Sequence, residues 1–138
     1  IASAAKVGIP QLRVRQKDED KMIELCKAWR VDLIVLAGYM RVLKNPDAFS
    51  APMINIHPSL LPKYKGLNAI EQAFDSGDNV TGCTVHYVTE ELDGGTIIKQ
   101  QEVPILPDDT LESLTKAIQR MEYGLLPSVI NSWQSTTI

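Results

Sequence analysis

Cysteine and histidine are scarce in this sequence of 138 residues, which contains two of each. Cys26 and Cys83 are too few to form a disulfide framework, and this favours a reducing compartment. A structural zinc site needs clustered Cys or His ligands, and the sequence has no such cluster. We therefore expect no metal ion and a cytoplasmic location.

Basic residues and long apolar runs are scarce as well. The 14 Lys and Arg residues against 17 Asp and Glu residues give a formal net charge of −3, whereas nucleic-acid-binding domains usually carry a basic surplus. No apolar run approaches the roughly 18 residues that indicate a membrane-spanning helix. These absences argue against nucleic acid and membranes as partners. They leave small molecules, bound by a protein that we expect to be a monomer or a weak homodimer.

The length and composition suit one domain with a core of its own. Hydrophobic residues make up 44% of the chain and charged residues 22%, as in ordinary globular domains, so residues 1–138 are interpreted as a single domain. Residues 1–8 have no initiator Met, and they resemble a helix that closes at a C-terminal glycine, Gly8. We expect a chain that begins part-way through its domain.

A helix followed by a fully apolar strand opens the interpretable part of the chain. Apolar residues at helical spacing predict a helix from Asp18 through Trp29, and residues 32–38 then form a continuous apolar run that ends at a glycine. This succession is typical of a parallel sheet that is buried on both faces. Residues 53–57 are predicted to be the parallel neighbour, reached by a crossover through residues 45–50.

The second half of the chain predicts a helix, a hairpin and a long helix. Residues 68–76 have helical spacing, and residues 83–89 and 96–101 alternate as two strands that should pair antiparallel at one edge of the sheet. Asp109, with Glu112 three positions later, has the spacing of a helix N-cap, and Pro127 is expected to end or kink that helix. The predicted fold class is α/β, with a partly parallel sheet, an antiparallel hairpin and flanking helices.

Residues 53–64 contain the strongest chemical signal. Side chains alternate along a strand, so Asn55 and His57 point to the same face of a strand that ends at Pro58. The carboxyl end of a strand is where an open α/β sheet places its chemistry. Neither residue is a strong nucleophile, which favours hydrogen-bond donors and an acid or base acting on a substrate carbonyl. The alternative is that a single His near a strand end is only structural.

Two motifs extend this signal. Residues 55–66 read Asn-Ile-His-Pro-Ser-Leu-Leu-Pro-Lys-Tyr-Lys-Gly, and residues 91–95 read Glu-Leu-Asp-Gly-Gly. Together they resemble the folate-dependent formyltransferases, most closely the branch that formylates glycinamide ribonucleotide in purine synthesis, over about residues 32–130. The resemblance implies a Rossmann-like formyltransferase fold, of which this chain would be the C-terminal two-thirds.

The resemblance implies transfer of a formyl group from the cosubstrate 10-formyltetrahydrofolate to the amine of glycinamide ribonucleotide. Asn55, His57 and Asp93 would be the catalytic residues. The amine attacks the formyl carbon directly, so the site must stabilise a tetrahedral oxyanion. Asp93 would keep His57 protonated and, through a water, receive the proton that leaves the amine. The alternative for Asp93 is an ordinary Asp-Gly-Gly hairpin turn.

The resemblance also implies two sets of binding residues. The folate cosubstrate would contact Met40, Arg41, Val42, Leu43, Val88, Thr89, Glu90, Leu92 and Asp93. The ribonucleotide would contact Asn55, Ile56, Pro58, Gln119 and Glu122. Without the resemblance, Gln119 and Glu122 share a face of a helix and could simply be its solvated side. Lys63 and Lys65 could attract the anionic folate tail or belong to a solvated loop.

Other residues and other functions were weighed against this interpretation. Ser59 is interpreted as a turn residue, Cys83 as core, and His86 as structural or as a neighbour of the site. The glycine-serine-asparagine loop that holds phosphate in the family is absent from the sequence. The rival functions are methionyl-tRNA formyltransferase, formyltetrahydrofolate hydrolase and a non-catalytic folate-binding fragment.

Overall fold

In the computed structural model, residues 18–37 and 43–136 are described. Three helices, four strands and one short 3₁₀ helix lie within them. In chain order these are α1 (Glu19–Ala28), β1 (Ile34–Ala37), the 3₁₀ helix (Pro46–Ala48), β2 (Met53–His57), α2 (Ala69–Ser76), β3 (Val80–Tyr87), β4 (Ile97–Pro104) and α3 (Leu111–Thr136). The helix end predicted for residues 1–8 lies outside the described residues.

The four strands form one mixed sheet in the order β1-β2-β3-β4. β1 and β2 are parallel, with Ile34 opposite Met53 and Ala37 opposite Ile56. β3 runs antiparallel to both β2 and β4. The parallel pair and the antiparallel hairpin at one edge are therefore confirmed, and β2 is the strand at which the two halves of the sheet meet.

Helix α1 is stabilised at its N-terminus by side-chain hydrogen bonds. The side chain of Asp18 caps it by accepting a hydrogen bond from the Lys21 amide at 3.2 Å. The Glu19 carboxylate accepts from the amides of Lys44 and Asn45, at 2.9 and 2.7 Å. Residues from α1 and from the first two strands line an apolar cavity of about 300 Å³ between helix and sheet.

The core lies where α3 crosses the sheet. Leu114 and Ile118 of α3 are fully buried, as are Ile54 of β2 and Cys83 and Val85 of β3. Full burial of one such aliphatic side chain contributes roughly 1.5–3 kcal/mol. These five residues therefore hold β2 and β3 firmly, and β2 and β3 carry the side chains described below.

The start of α3 differs from the prediction by one residue. Thr110 caps the helix, since its hydroxyl accepts from the Ser113 amide at 3.1 Å and its own amide donates to the Ser113 hydroxyl at 2.8 Å. Asp109 supports this cap by accepting from the Ser113 hydroxyl at 2.6 Å. The Thr-x-x-Ser pair forms the reciprocal cap that we predicted for Asp109 and Glu112.

Pro127 does not end α3. An end at Pro127 is therefore the wrong one of the two predicted outcomes, and a kink there stays a prediction. The helix continues through Pro127 to Thr136. A proline removes one backbone N–H donor and crowds the preceding turn. Here buried residues lie on both sides of it, Leu125 before and Val129 after, and their packing on the sheet outweighs that cost. None of the described helices combines the length and apolar character needed to cross a membrane.

Candidate active site

The exposed end of β2 places two polar side chains on one face. Asn55 and His57 are two residues apart, and their partners across β3 are His86 and Thr84. Directly opposed residues of antiparallel strands share a face of the sheet. Four polar side chains therefore lie together on the face of the sheet opposite to the buried Ile54, Cys83 and Val85.

A cavity of about 230 Å³ opens at this end of β2. Residues of β2, of the segment 66–70 that leads into α2, of the loop before β4 and of α3 line it. They are Asn55, Ile56, His57, Pro58, Gly66, Leu67, Asn68, Ala69, Ile70, Leu92, Asp93, Gln119 and Glu122. The cavity thus collects polar groups from four separate segments, which is typical of a ligand site.

Asp93 reaches the cavity from the loop between β3 and β4. Its backbone φ is +52°, in the left-handed region that Asp and Asn adopt more readily than most residues. Its side chain is 5% exposed, and the carboxylate accepts a hydrogen bond from the Gly66 amide at 2.7 Å. The loop passes so close to the Tyr87 carbonyl at Gly95 that any Cβ would collide with it. Glycine at this position therefore permits the loop to close against the end of β3.

His57 lies between Asp93 and the backbone. Its Nδ1 is 3.5 Å from Asp93 Oδ2, and its Nε2 is 2.8 Å from the Tyr64 carbonyl oxygen. A carbonyl oxygen can only accept, so Nε2 carries a proton. Nδ1 bonds to the carboxylate only when it too is protonated, and the ring is then an imidazolium.

The turn after β2 is held by its own hydrogen bonds. Ser59 donates to the Lys63 carbonyl at 2.6 Å, and the Tyr64 hydroxyl donates to Asp78 Oδ2 at 2.6 Å. The Tyr64 hydroxyl, and after it Lys63, hold the pKa of Asp78 below its usual range. The interpretation of Ser59 as a turn residue is consistent with these contacts, which fix the carbonyl that orients His57.

Thr84 ties the same turn to the sheet. Its hydroxyl donates to the Ser59 carbonyl at 2.7 Å and accepts from the Leu61 amide at 3.2 Å. Gln100 of β4 donates to Thr84 Oγ1 at 3.0 Å and to the Leu61 carbonyl at 2.9 Å. The base of the site is therefore preorganised by buried hydrogen bonds.

Asn55 has an unused acceptor. Its Oδ1 is buried and has no hydrogen-bond partner among the described residues. A buried polar atom without a partner costs roughly 1–3 kcal/mol. A ligand with an N–H or O–H group at this position would remove that cost.

Glu122 lines the cavity from α3, and burial raises the pKa of its carboxyl. Burial, and after it the charge of Glu122, raises the pKa of the Cys83 thiol to about 11. Cys83 is fully buried, so it is an unreactive core residue, as expected from its strand.

The structure brings most of the predicted site residues together. All three predicted catalytic residues line the one cavity, and so do Leu92 and the five residues predicted to contact the ribonucleotide: Asn55, Ile56, Pro58, Gln119 and Glu122. Which ligand each of them contacts stays a prediction.

The other predicted folate residues that the structure describes do not line this cavity. Leu43 is buried in the separate apolar cavity against α1. Val88, Thr89 and Glu90 follow β3 in the loop that leads to Asp93, where the Val88 amide donates to the Met53 carbonyl at 2.9 Å. Met40, Arg41 and Val42 lie outside the described residues.

Sequence reasoning missed several residues of the site. The segment from Gly66 to Ile70 forms one wall, although it begins at the last residue of the recognised motif. The two lysines of the turn form ion pairs, Lys63 with Asp78 at 3.2 Å and Lys65 with Glu91 at 3.6 Å.

Among the described residues no group of three His, Cys, Asp or Glu side chains is arranged to hold a metal ion.

Comparison with known proteins assigns the class. A family model described as formyl transferase matches residues 2–130. The chain therefore belongs to the formyl transferase family, whose members have the Rossmann-like fold that the sequence predicted.

Individual relatives are more specific. The phosphoribosylglycinamide formyltransferase of Haemophilus influenzae is 42% identical over 139 residues, which are 94% of this chain and 66% of that protein. The trifunctional purine biosynthetic protein adenosine-3 of Drosophila melanogaster is 46% identical over 136 residues, which are 92% of this chain and 10% of that protein. The chain thus spans slightly less than two thirds of the first relative and a small part of the second.

Solved structures agree with these relatives. The crystal structure of phosphoribosylglycinamide formyltransferase from Bacillus halodurans matches with a TM-score of 0.89 and 39% identity, covering 98% of this chain and 74% of that chain. The enzyme from Anaplasma phagocytophilum matches with a TM-score of 0.83 and 42% identity, covering 92% of this chain and 63% of that chain. The predicted fold is confirmed.

Proposed function

We propose that this chain carries the catalytic centre of a phosphoribosylglycinamide formyltransferase. In this proposal it transfers the formyl group of 10-formyltetrahydrofolate to the amine of glycinamide ribonucleotide. The observation that supports it best is the convergence of Asn55, His57 and Asp93 on one cavity of a formyl transferase fold. The names of the relatives supply the substrates.

Asn55 meets the two needs of an attacking amine and a formyl carbonyl. Its unpaired Oδ1 would accept a hydrogen bond from the amine and align the nitrogen lone pair with the formyl carbon. Its amide N–H groups would donate to the oxyanion that forms as the C–N bond is made. A preorganised donor of this kind contributes roughly 2.7–4 kcal/mol to transition-state stabilisation.

His57 would act mainly through its charge. Both of its ring nitrogens face protein groups, Tyr64 O at 2.8 Å and Asp93 Oδ2 at 3.5 Å. The second distance is long for a hydrogen bond, so the Nδ1–H group is only weakly engaged by Asp93 and would also donate to a substrate oxygen that lies beside it. A buried imidazolium stabilises a nearby oxyanion more strongly than it would in water.

Asp93 would complete the proton balance. The amine carries a surplus proton after attack, and the oxyanion must gain a proton or expel the folate nitrogen. A carboxylate next to an imidazolium can take that proton through a water and return it to the folate nitrogen, which then leaves as a neutral amine as the oxyanion collapses to the new formamide. No enzyme nucleophile and no covalent intermediate are needed.

The two sides of the cavity suggest where the substrates lie. Gln119 and Glu122 of α3 present an amide and a carboxylate, which suit the hydroxyls of a ribose. Leu92, together with the exposed Leu67 opposite, offers apolar surface to a flat ring such as a pterin. We further propose a cytoplasmic enzyme, a monomer or weak homodimer, with no nucleic-acid or membrane partner.

An acceptor panel tests the proposal. The protein is incubated with 10-formyltetrahydrofolate carrying a ¹³C-formyl group, and three acceptors are offered: glycinamide ribonucleotide, methionyl-tRNA and water alone. We expect the label in formylglycinamide ribonucleotide by mass spectrometry. Label in formate with or without acceptor would favour the hydrolase, and label in methionyl-tRNA would favour the tRNA enzyme.

A further inference from the structure

Both histidines of the chain flank a single carboxylate. The sequence contains two histidines, His57 and His86. Asp93 Oδ2 is 3.5 Å from His57 Nδ1, and Asp93 Oδ1 is 3.7 Å from His86 Nε2. The three side chains are 8% or less exposed. The carboxylate therefore lies between two imidazole rings and is almost fully shielded from solvent.

The other nitrogen of each ring is already committed. His86 Nδ1 is 2.9 Å from the Tyr87 carbonyl oxygen, and His57 Nε2 is 2.8 Å from the Tyr64 carbonyl oxygen. Since carbonyl oxygens only accept, these two nitrogens carry protons. In its neutral form, each ring then presents a lone pair to Asp93.

This arrangement requires at least one further proton. A carboxylate that faces two lone pairs is repelled on both sides, and burial strengthens that repulsion. One proton, on either ring or on the carboxylate, turns one contact into a charge-assisted hydrogen bond. Glu122 of α3 lines the same cavity, and the Lys65–Glu91 ion pair lies in the neighbouring loops.

Asp93 depends on His86 for a partner at its second carboxylate oxygen, Oδ1. Oδ2 has the Gly66 amide at 2.7 Å, whereas Oδ1 faces Nε2 of His86, an atom that has no hydrogen-bond partner within residues 18–37 and 43–136. His86 lies on β3, which is paired on both sides, with Asn55 of β2 and Ile97 of β4 as its strand partners. It offers a fixed support for a carboxylate on a loop.

We propose that His86 is a positioning residue, which holds Asp93 through Oδ1 and shares one proton with Asp93 and His57. The carboxylate is thereby kept turned towards Nδ1 of His57, with the proton available to either ring. The catalytic consequence rests on the proposed formyl transfer, whereas the sharing of the proton does not.

Histidine NMR tests the shared proton directly. The ring ¹⁵N signals of the full chain are followed against pH for the parent and for His86→Gln, in which His57 is the remaining histidine. Glutamine keeps an amide that can donate to Oδ1 but cannot take up the proton. We expect His57 to titrate in two steps in the parent and in one step in His86→Gln. Identical His57 curves in the two proteins would overturn the proposal.

Steady-state kinetics tests whether His86 positions Asp93. His86→Met keeps similar bulk but removes the donor, and we expect kcat to fall roughly tenfold to a hundredfold, as for a misplaced catalytic group, with little change in KM for the formyl donor. His86→Gln should recover most of that loss. A His86→Met kcat within about threefold of the parent, near the resolution of a 1 kcal/mol effect, would contradict the positioning role.

Thr81→Val is the matched control. Thr81 lies on the same strand, is also buried and has a hydroxyl without a hydrogen-bond partner in the described part of the chain, but it is five residues away, on the opposite face. Its kcat should equal the parent's, and melting curves should show that all variants are folded.

If His86→Met does not fold, the NMR of His86→Gln decides whether His86 shares the proton. If the parent transfers no formyl group, the proposed function fails and the NMR still decides whether the proton is shared.

Discussion

Asn55 shows what a single residue contributes to the site. Its buried Oδ1 has no partner within the described part of the chain, a cost that a purely structural asparagine would not carry. The strand period alone predicts that Asn55 and His57 share a face. The contact of His57 with Tyr64 could not be predicted, because it depends on how the turn 58–64 folds back.

Asn55→Ala tests that contribution. We expect kcat for formyl transfer to fall by about 10²–10³, the cost of one oxyanion donor, and folate affinity to change little, because the donor acts mainly on charge that forms during transfer. Steady-state kinetics with a binding titration measures both. A loss confined to KM would make Asn55 a binding residue instead.

At the scale of elements, α3 shows that tertiary packing can override a local sequence signal such as a proline. Pro127 predicted an end or a kink, yet the helix continues to Thr136, since its buried face continues to contact the sheet. The parallel pair β1–β2 and the hairpin β3–β4 were predictable, because their apolar runs and alternation are local signals. The helix over residues 68–76 was predictable in the same way, but its position beside the cavity was not, because that position depends on how the turn after β2 folds back.

Gly124→Ala tests the account of α3. An added Cβ at Gly124 would meet nothing within 4 Å, and glycine in a helix interior costs roughly 0.5–1 kcal/mol relative to alanine. We expect a gain of that size in the free energy of unfolding, measured by urea denaturation.

Gly82→Ala is the control, because its Cβ would collide with the Gln101 carbonyl and lie 2.7 Å from Leu60. It should destabilise the protein. A loss of stability in Gly124→Ala would mean that this side of α3 is covered rather than open.

At the scale of the whole molecule, stability should depend on pH through Glu122. Burial raises its pKa in the folded state, so the folded protein binds this proton more tightly than the unfolded chain. The resulting stability is present below the unfolded pKa, near about 4.3, and is lost as pH rises through the folded pKa.

Glu122→Gln should therefore melt at a higher temperature than the parent at neutral pH, and the difference should vanish below about pH 4. Glu112→Gln is the control on the same helix, since Glu112 is 79% exposed and its pair with Lys116 contributes at most about 0.5 kcal/mol. An equal difference at both pH values would show that the Glu122 effect is packing rather than charge.

The central claim is that Asp93 acts through its charge in formyl transfer, and Asp93→Asn tests it most directly. Asparagine has the same size and tolerates the φ of +52° at this position, as aspartate does. If Asp93 is the partner of His57, the substitution removes the charge that favours the imidazolium and the carboxylate that receives the proton.

The measurement is the single-turnover rate of formyl transfer, with a melting curve on the same sample. We predict a melting temperature close to the parent's and a rate lower by at least about a hundredfold, within the 10²–10⁴ range of general acid–base contributions. A rate within about threefold of the parent, near the resolution of a 1 kcal/mol effect, would contradict the account and make Asp93 a turn residue.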